Sequence, residues 1–154
     1  MPEIRRASVL RAPADAVWAR VTTFAGINDE MRPLMRMTAP RTLREGGITT
    51  VPIGERACRS WILAGGVLPV EYDDLVIVEL EDGRFLERST MLTQRMWEHE
   101  RTVAPHSEGC LVTDRVAFTP RRAIPAALTA RIVGLTFEHR HRRLQRRFSG
   151  RPAD

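Results

Sequence analysis

Four ionisable residues lie in segments that alternate like β-strands: Glu87 in RFLERSTM, His99 and Arg101 in RMWEHERTV, and Asp114 in GCLVTDRVAF. A histidine held by a carboxylate can act as a general acid or base, because the carboxylate orients the ring. The same four groups can instead form an internal ion network that only holds the fold together. They can also be the polar lining of a cavity that orients a mostly apolar ligand. The choice turns on which way these side chains point, and so on the elements that carry them.

From about residue 37 to 119 the pattern has period two. CRSWIL, DLVIVEL, RFLERSTM, RMWEHERTV and GCLVTDRVAF all read as strands of an antiparallel meander. EDGR (81–84) signals a hairpin, since Asp-Gly tolerates the positive φ of a type I′ turn. APHSEG (104–109) reads as a longer hairpin loop. Closing it between Val103 and Cys110 sets His99 opposite Asp114, Trp97 opposite Val116 and Glu98 opposite Arg115. A short loop at Leu92–Gln94 sets His99 opposite Glu87 and Glu98 opposite Arg88, and the EDGR turn sets Val78 beside Glu87.

Two rows then cross the sheet. Arg88–Glu98–Arg115 alternates in sign, which favours cross-strand pairing, and shares its face with Glu79, Glu100, Thr102 and Thr113. That face reads as solvent. Val78–Glu87–His99–Asp114 shares its face with Val76, Leu80, Phe85, Trp97, Val103, Val112, Val116 and Phe118, which reads as core. Glu87, His99, Arg101 and Asp114 are therefore expected to point inward. Buried charges are costly when isolated, so these must pair or meet water.

Before the meander, Ile4–Ala12 reads as a strand, and Pro13 opens a helix with an apolar stripe at Ala14, Val17, Trp18, Val21 and Phe24. Gly26 punctuates it. Ile27, Met31, Leu34 and Met35 suggest a second short helix, bent or ended near Pro33. Gly65–Gly66 reads as a bulge or tight bend. A long helix follows Pro125 to about Phe148, with stripes at Leu128, Ile132, Leu135 and His139 and at Val133, Phe137, Leu144 and Phe148. Two stripes imply a wide buried face. Met31, Met35 and Met37 suit either a flexible pocket wall or plain core. Trp61 and Tyr72 carry the same ambiguity. His139 is assigned equally to cavity or surface, and Asp73–Asp74 to a polar turn.

The chain has 154 residues, 43% hydrophobic and 28% charged, which suits one globular domain over residues 1–148 with a loose tail at 149–154. It contains no apolar run long enough to span a bilayer and no signal-peptide pattern in MPEIRRASVL, so a cytoplasmic location is expected. Cys58 and Cys110 read as free thiols. GxGxxG, GK[ST], GxSxG, HExxH and metal-spaced clusters are all missing, so no cofactor or metal is expected. Net charge is +5, and six of the 24 basic residues, all of them arginine, lie in EHRHRRLQRRFSGR. Such a basic end suits nucleic acid or an anionic membrane. Favourable interaction with the negative helix end, about 0.3–1 kcal/mol per cation, is the preferred account. A homodimer is left open.

Strand, two short helices, a strand meander and one long helix, with RAPADAVWARVTTF, WEHERTV, TDRVAF and FEHRHRRLQRRF in that order, resembles the START/Bet v 1-like (SRPBCC) helix-grip superfamily. The same residues also resemble its polyketide cyclase/dehydrase-like bacterial branch. The resemblance implies an α+β fold, with a curved antiparallel sheet wrapped around the C-terminal helix and a cavity between them. It also implies a small, largely apolar ligand, lipid-, polyketide- or quinone-like. Met31, Met35, Trp61, Tyr72, Phe85 and Trp97 are the expected apolar lining, with Phe118, Leu135 and His139 beside them. Glu87, His99, Arg101 and Asp114 would supply the polar cluster. The alternative is a cyclase/dehydrase-like enzyme that uses His99 with Glu87 or Asp114 for acid/base work.

Overall fold

Pro13 separates the first strand from the first helix. β1 (Glu3–Leu10) runs up to it, and α1 (Ala14–Val21) starts one residue later with Val17 and Val21 buried. The structure, a computed structural model, describes residues 2–153. The apolar stripe expected to run on to Phe24 is divided. Thr23 Oγ1 accepts from Gly26 N at 3.0 Å and so caps a separate helix, α2 (Phe24–Met31). Gly26 lies inside α2, where a Cβ would stand 1.9 Å from Arg20 O. Leu34 and Met35, expected in a helix, leave it. α2 ends before Pro33, and Asn28 grips the Met37 backbone through both N–H (2.7 Å) and C=O (3.0 Å), holding β2 (Met35–Met37) extended.

A short helix α3 (Arg41–Arg44) and a 3-10 turn (Gly47–Thr50) follow, where the period-two reading expected strand. The meander is β3 (Arg56–Ala64), β4 (Leu68–Glu81), β5 (Arg84–Met91), β6 (Gln94–His106) and β7 (Gly109–Pro120). α4 (Ala126–Arg147) closes the fold, and β8 (Arg151–Pro152) follows it. The eight strands form one curved sheet in the order β2-β3-β4-β5-β6-β7-β1-β8, antiparallel throughout. This is the α+β helix-grip architecture, with α4 packed on β1, β7 and α2.

The β5–β6 register matches the sequence reading, with Glu87 opposite His99 and Arg88 opposite Glu98. The other two registers differ. An irregularity between Ile77 and Glu79 sets Ile77, not Val78, opposite Glu87. Upstream of it the faces exchange: Asp73, Leu75 and Ile77 are buried, and Val76 turns outward with Val78. The β6–β7 loop is shorter than expected. His106 pairs with Gly109 across Ser107 and Glu108 alone, so His99 faces Val116, Trp97 faces Phe118 and Arg101 faces Asp114. Gly109 makes this tight end feasible at φ 141°, since a Cβ would lie 2.2 Å from Leu10 O. The slip is by two residues, and an even slip keeps every side chain on its face. Gly83 has φ 80° but Asp82 does not have positive φ, so the EDGR turn is not type I′.

On the outer face Glu98 takes Arg88 at 2.7 Å and Arg115 at 2.8 Å, while Glu100 takes Arg84 at 2.8 Å. Exposed pairs of this kind are worth about 0–1 kcal/mol each.

Residues 149–153 are not part of a loose tail, and Asp154, expected in it, lies outside the described residues. Ser8 pairs with Pro152, Val9 with Arg151, and Ala153 N donates to Ala7 O at 2.9 Å. Nor is the α4 apolar face as wide as expected. Thr129, Val133, Phe137, Arg140, His141 and Leu144 are buried, whereas Leu128, Ile132 and Leu135 are 51%, 55% and 57% exposed. Three arginines of α4 dock on the acidic end of α2: Arg140 binds Glu30 at 3.1 Å, and Arg143 and Arg147 reach Asp29 at 3.3 and 3.7 Å. Cys58 and Cys110 are both free, and burial raises both thiols above their ordinary value.

Candidate ligand cavity and its buried ion network

A cavity of about 410 Å³ lies between the sheet, α2 and α4. Leu75, Ile77, Phe85 and Trp97 wall it from the sheet, Phe24, Ile27 and Met31 from α2, and Val133 and Phe137 from α4. Four thioethers share the wall: Met31, Met35, Met37 and Met91. Val70, Leu128 and Ile132 line it too, yet are 45%, 51% and 55% exposed, so they mark its mouth.

Of the residues singled out from sequence, Met31, Met35, Phe85, Glu87, Trp97 and His99 stand on this wall. Arg101 and Asp114 point inward but lie one layer deeper, at 0% and 1% exposure. Phe118 is core, packed beside Trp97 with ring centroids 6.5 Å apart. Trp61 and Tyr72 do not line the cavity. They meet edge to face at 5.3 Å, with Arg59 over Tyr72, because the inward position of that part of β4 belongs to Asp73. Leu135 is exposed, and His139 hydrogen-bonds Arg32 O at 2.9 Å away from the cavity.

His99 sits on the cavity wall at 4% exposure, between the edges of Phe85 and Phe137. Its Nε2 is 2.7 Å from Asp114 Oδ1, and its Nδ1 is 3.7 Å from Glu87 Oε2. Arg101 clamps two carboxylates at once. It donates to Asp114 from Nε at 2.8 Å and Nη2 at 2.6 Å, and to Glu30 from Nη1 and Nη2 at 2.8 Å each. Such bidentate, charge-assisted bonds are the strong kind. His141 Nε2 holds the other Asp114 oxygen at 2.8 Å, its Nδ1 meets Ser8 Oγ at 2.7 Å, and Gln145 donates to Ser8 at 2.8 Å. A continuous hydrogen-bonded chain thus runs from the cavity wall to a crevice bounded by Arg5, Arg6, Glu138 and Gln145.

Burial alone would raise every carboxyl here. For Asp114 the Arg101 charge and hydrogen bonds from Arg101, His141 and His99 outweigh it, and the carboxyl stays well below its usual range. Glu30 is held down against burial by Arg101 and Arg140, and Glu87 by the neighbouring His99 and Asp73. Asp73 goes the other way. Burial and the adjacent Glu87 charge push it well above the ordinary carboxyl range, so of the two Asp73 holds a proton the more readily.

These opposite shifts have opposite consequences for stability. Glu30, Glu87 and Asp114 contribute stability above their unfolded values of about 4, and it is lost as pH falls through their lower folded values. Asp73 contributes stability below about pH 4, and it is lost as pH rises toward its higher folded value. Asp73→Asn keeps a donor for Glu87 and removes that titration. Urea melts should show the variant at least as stable as wild type at pH 8, with its advantage shrinking toward pH 5. An equal loss at every pH would contradict the assignment.

Glu30, Arg140 and His141 join the site unexpectedly, and Asp73, expected in a polar turn, is instead a buried β4 residue that lines the cavity. His141 and Arg140 lie within the run HRHRR, whose composition signals a basic surface, and their partners come from α2, β1 and β7. The only available signal was helical spacing, since Phe137, Arg140, His141 and Leu144 share one face.

Sheet order, closing helix and the void between them give the chain the helix-grip fold, the fold shared by the solved structures it resembles. The chain belongs to the DUF8410 family, described as a domain of unknown function, which matches residues 8–148. Protein CV1439 from Chromobacterium violaceum is similar in structure, with TM-score 0.71 and 16% identity over 94% of this chain and 95% of that one. A START superfamily protein from Mycobacterium smegmatis superposes with TM-score 0.66 and 11% identity over 96% and 97%. DynU16, a protein in the dynemicin biosynthetic locus, gives TM-score 0.57 and 16% identity over 93% of this chain and 47% of that one. No curated protein matches the chain in sequence. Among the described residues, no helix is long and apolar enough to cross a membrane, and no group of three or more His, Cys, Asp or Glu side chains is placed to hold a metal ion.

Proposed function

We propose that this domain binds a small, largely apolar molecule, lipid-, polyketide- or quinone-like in character, between its sheet and α4. The observation that carries this reading is the void itself. Protein interiors seldom leave spaces larger than a water molecule, and about 410 Å³ lies within the range of ligand sites. Its adaptable thioether lining and open apolar mouth suit entry of such a molecule. The likeness to a START superfamily protein supports the same reading. Native mass spectrometry of protein purified from its own host tests it. A small molecule that leaves on denaturation is the expected result. Protein that is empty as isolated and takes up no apolar probe would argue against binding.

One observation favours a second reading, acid/base catalysis on a polyketide-like substrate. The His99 ring borders the cavity, and Asp114, His141 and Ser8 link it to a second crevice through which a proton could be exchanged. His99→Gln separates the two. A binding protein should keep its affinity within a few-fold. A proton-transfer enzyme should lose about 10²–10⁴ in turnover while still binding.

A further inference from the structure

Two residues of the cavity lining each carry a buried acceptor oxygen that has no partner among the described residues. Asp73 and Gln94 are each 4% exposed and both line the cavity. Asp73 Oδ1 and Gln94 Oε1 have no hydrogen-bond partner among the described residues. Buried polar atoms are nearly always satisfied, so two on one wall call for a donor from outside the chain.

Neither group can relieve itself by turning. Thr93 Oγ1 gives its single proton to Glu71 and can therefore only accept. Gln94 must present its Nε2 there, at 3.1 Å, which leaves Oε1 free. Glu87 is similarly committed: it accepts from Ser89 at 2.7 Å and faces His99 Nδ1 at 3.7 Å. Asp73 lies beside Glu87, and burial together with that charge raises its carboxyl while Glu87 is lowered, so of the two Asp73 holds a proton the more readily. With a proton on its other oxygen, Asp73 presents Oδ1 as an uncharged acceptor. Gln94 Oε1 is neutral as well.

The surroundings narrow the ligand further. Glu71, Asp73 and Glu87 share this part of the wall, which disfavours an anionic head group. Arg140, the one arginine among the described residues that line the cavity, is engaged by Glu30 at 3.1 Å and lies 4.9 Å from the Phe137 ring centre. An apolar body with an uncharged donor fits this wall, and a single hydroxyl satisfies either of the two oxygens at a time.

We infer that Asp73 and Gln94 form a recognition subsite for a neutral hydrogen-bond donor, the hydroxyl of an alcohol or phenol on an otherwise apolar ligand. This rests on the cavity reading above and specifies the ligand's polar end.

The test uses four probes of one shape, 2-naphthol, 2-methoxynaphthalene, 2-naphthoate and 2-naphthylmethylammonium, titrated calorimetrically into the full chain near neutral pH. Naphthol should bind roughly tenfold more tightly than its methyl ether, which cannot donate. Naphthoate should bind most weakly. Gln94→Met should lower naphthol affinity toward that of the ether and leave the ether unchanged. Asp73→Leu should do the same, and Asp73→Asn should keep the preference because it retains both an acceptor and a donor to Glu87. If Asp73→Leu does not fold, Gln94→Met decides. Equal affinities for naphthol and its ether, or a preference unmoved by Gln94→Met, would overturn the subsite and leave the cavity reading intact. Tightest binding by the ammonium or the carboxylate would overturn the neutral-donor assignment. Binding by none of the four would overturn the subsite and the cavity reading together.

Discussion

Arg101→Met should cost the fold about 3–5 kcal/mol, the range seen when one partner of a buried ion pair is removed. For a chain of this size, that corresponds to a fall in melting temperature of roughly 10 °C. Methionine fills much of the space but offers no donor. Glu30 and Asp114, at 1% exposure each, would lose four charge-assisted bonds between them and remain buried. Arg140, His99 and His141 would still touch them, but none bridges the two carboxylates as Arg101 does. The pH response should also change sign. In the wild type both carboxyls titrate below their usual range, so acidification destabilises. Without Arg101 burial dominates and raises them. They would then stabilise when protonated, and the variant should gain on moving from pH 7 to pH 5. Thermal melts at the two pH values measure this. A loss under 1 kcal/mol with an unchanged pH response would show that the clamp is not central to the fold.

Thr136→Trp should reduce 2-naphthol affinity at least 100-fold, about 2.7 kcal/mol, while leaving stability little changed. Thr136 is half-buried and lines the cavity from α4, next to Phe137. An indole projecting into an existing void adds apolar contacts instead of displacing packed neighbours, so the usual overpacking penalty of 1–3 kcal/mol should be small here. Calorimetric titration beside a urea melt gives both quantities. Retained affinity would place probe binding elsewhere on the chain.

The sidedness of the meander was legible because it depends on parity alone. Glu87, His99, Arg101 and Asp114 are buried even though the β6–β7 pairing lies two residues from the expected one, since an even slip preserves the face. The length of that loop was not legible. It is set by Gly109 packed on the Leu10 carbonyl, a contact with a strand about a hundred residues away in sequence. The irregularity at Val78 was equally hidden, and it reversed the parity of β4, so Asp73 entered the cavity while Tyr72 left it. The ion network was half visible. Its strand members could be aligned by register, but Glu30 and His141 reach it from helices, and helix docking has no short-range signature. The basic run of α4 misled for the same reason, since its partners Asp29 and Glu30 are more than a hundred residues upstream.

The central claim is that the space beside His99 receives an apolar molecule. Carbon-13 labelling of the methionine methyl groups tests it inside the protein, because Met31, Met35, Met37 and Met91 line the cavity and Met96 does not. On titration with 2-naphthol, the four lining resonances should shift together and saturate, with Met96 unmoved. Unchanged resonances at those four positions, or a shift at Met96 alone, would contradict the account.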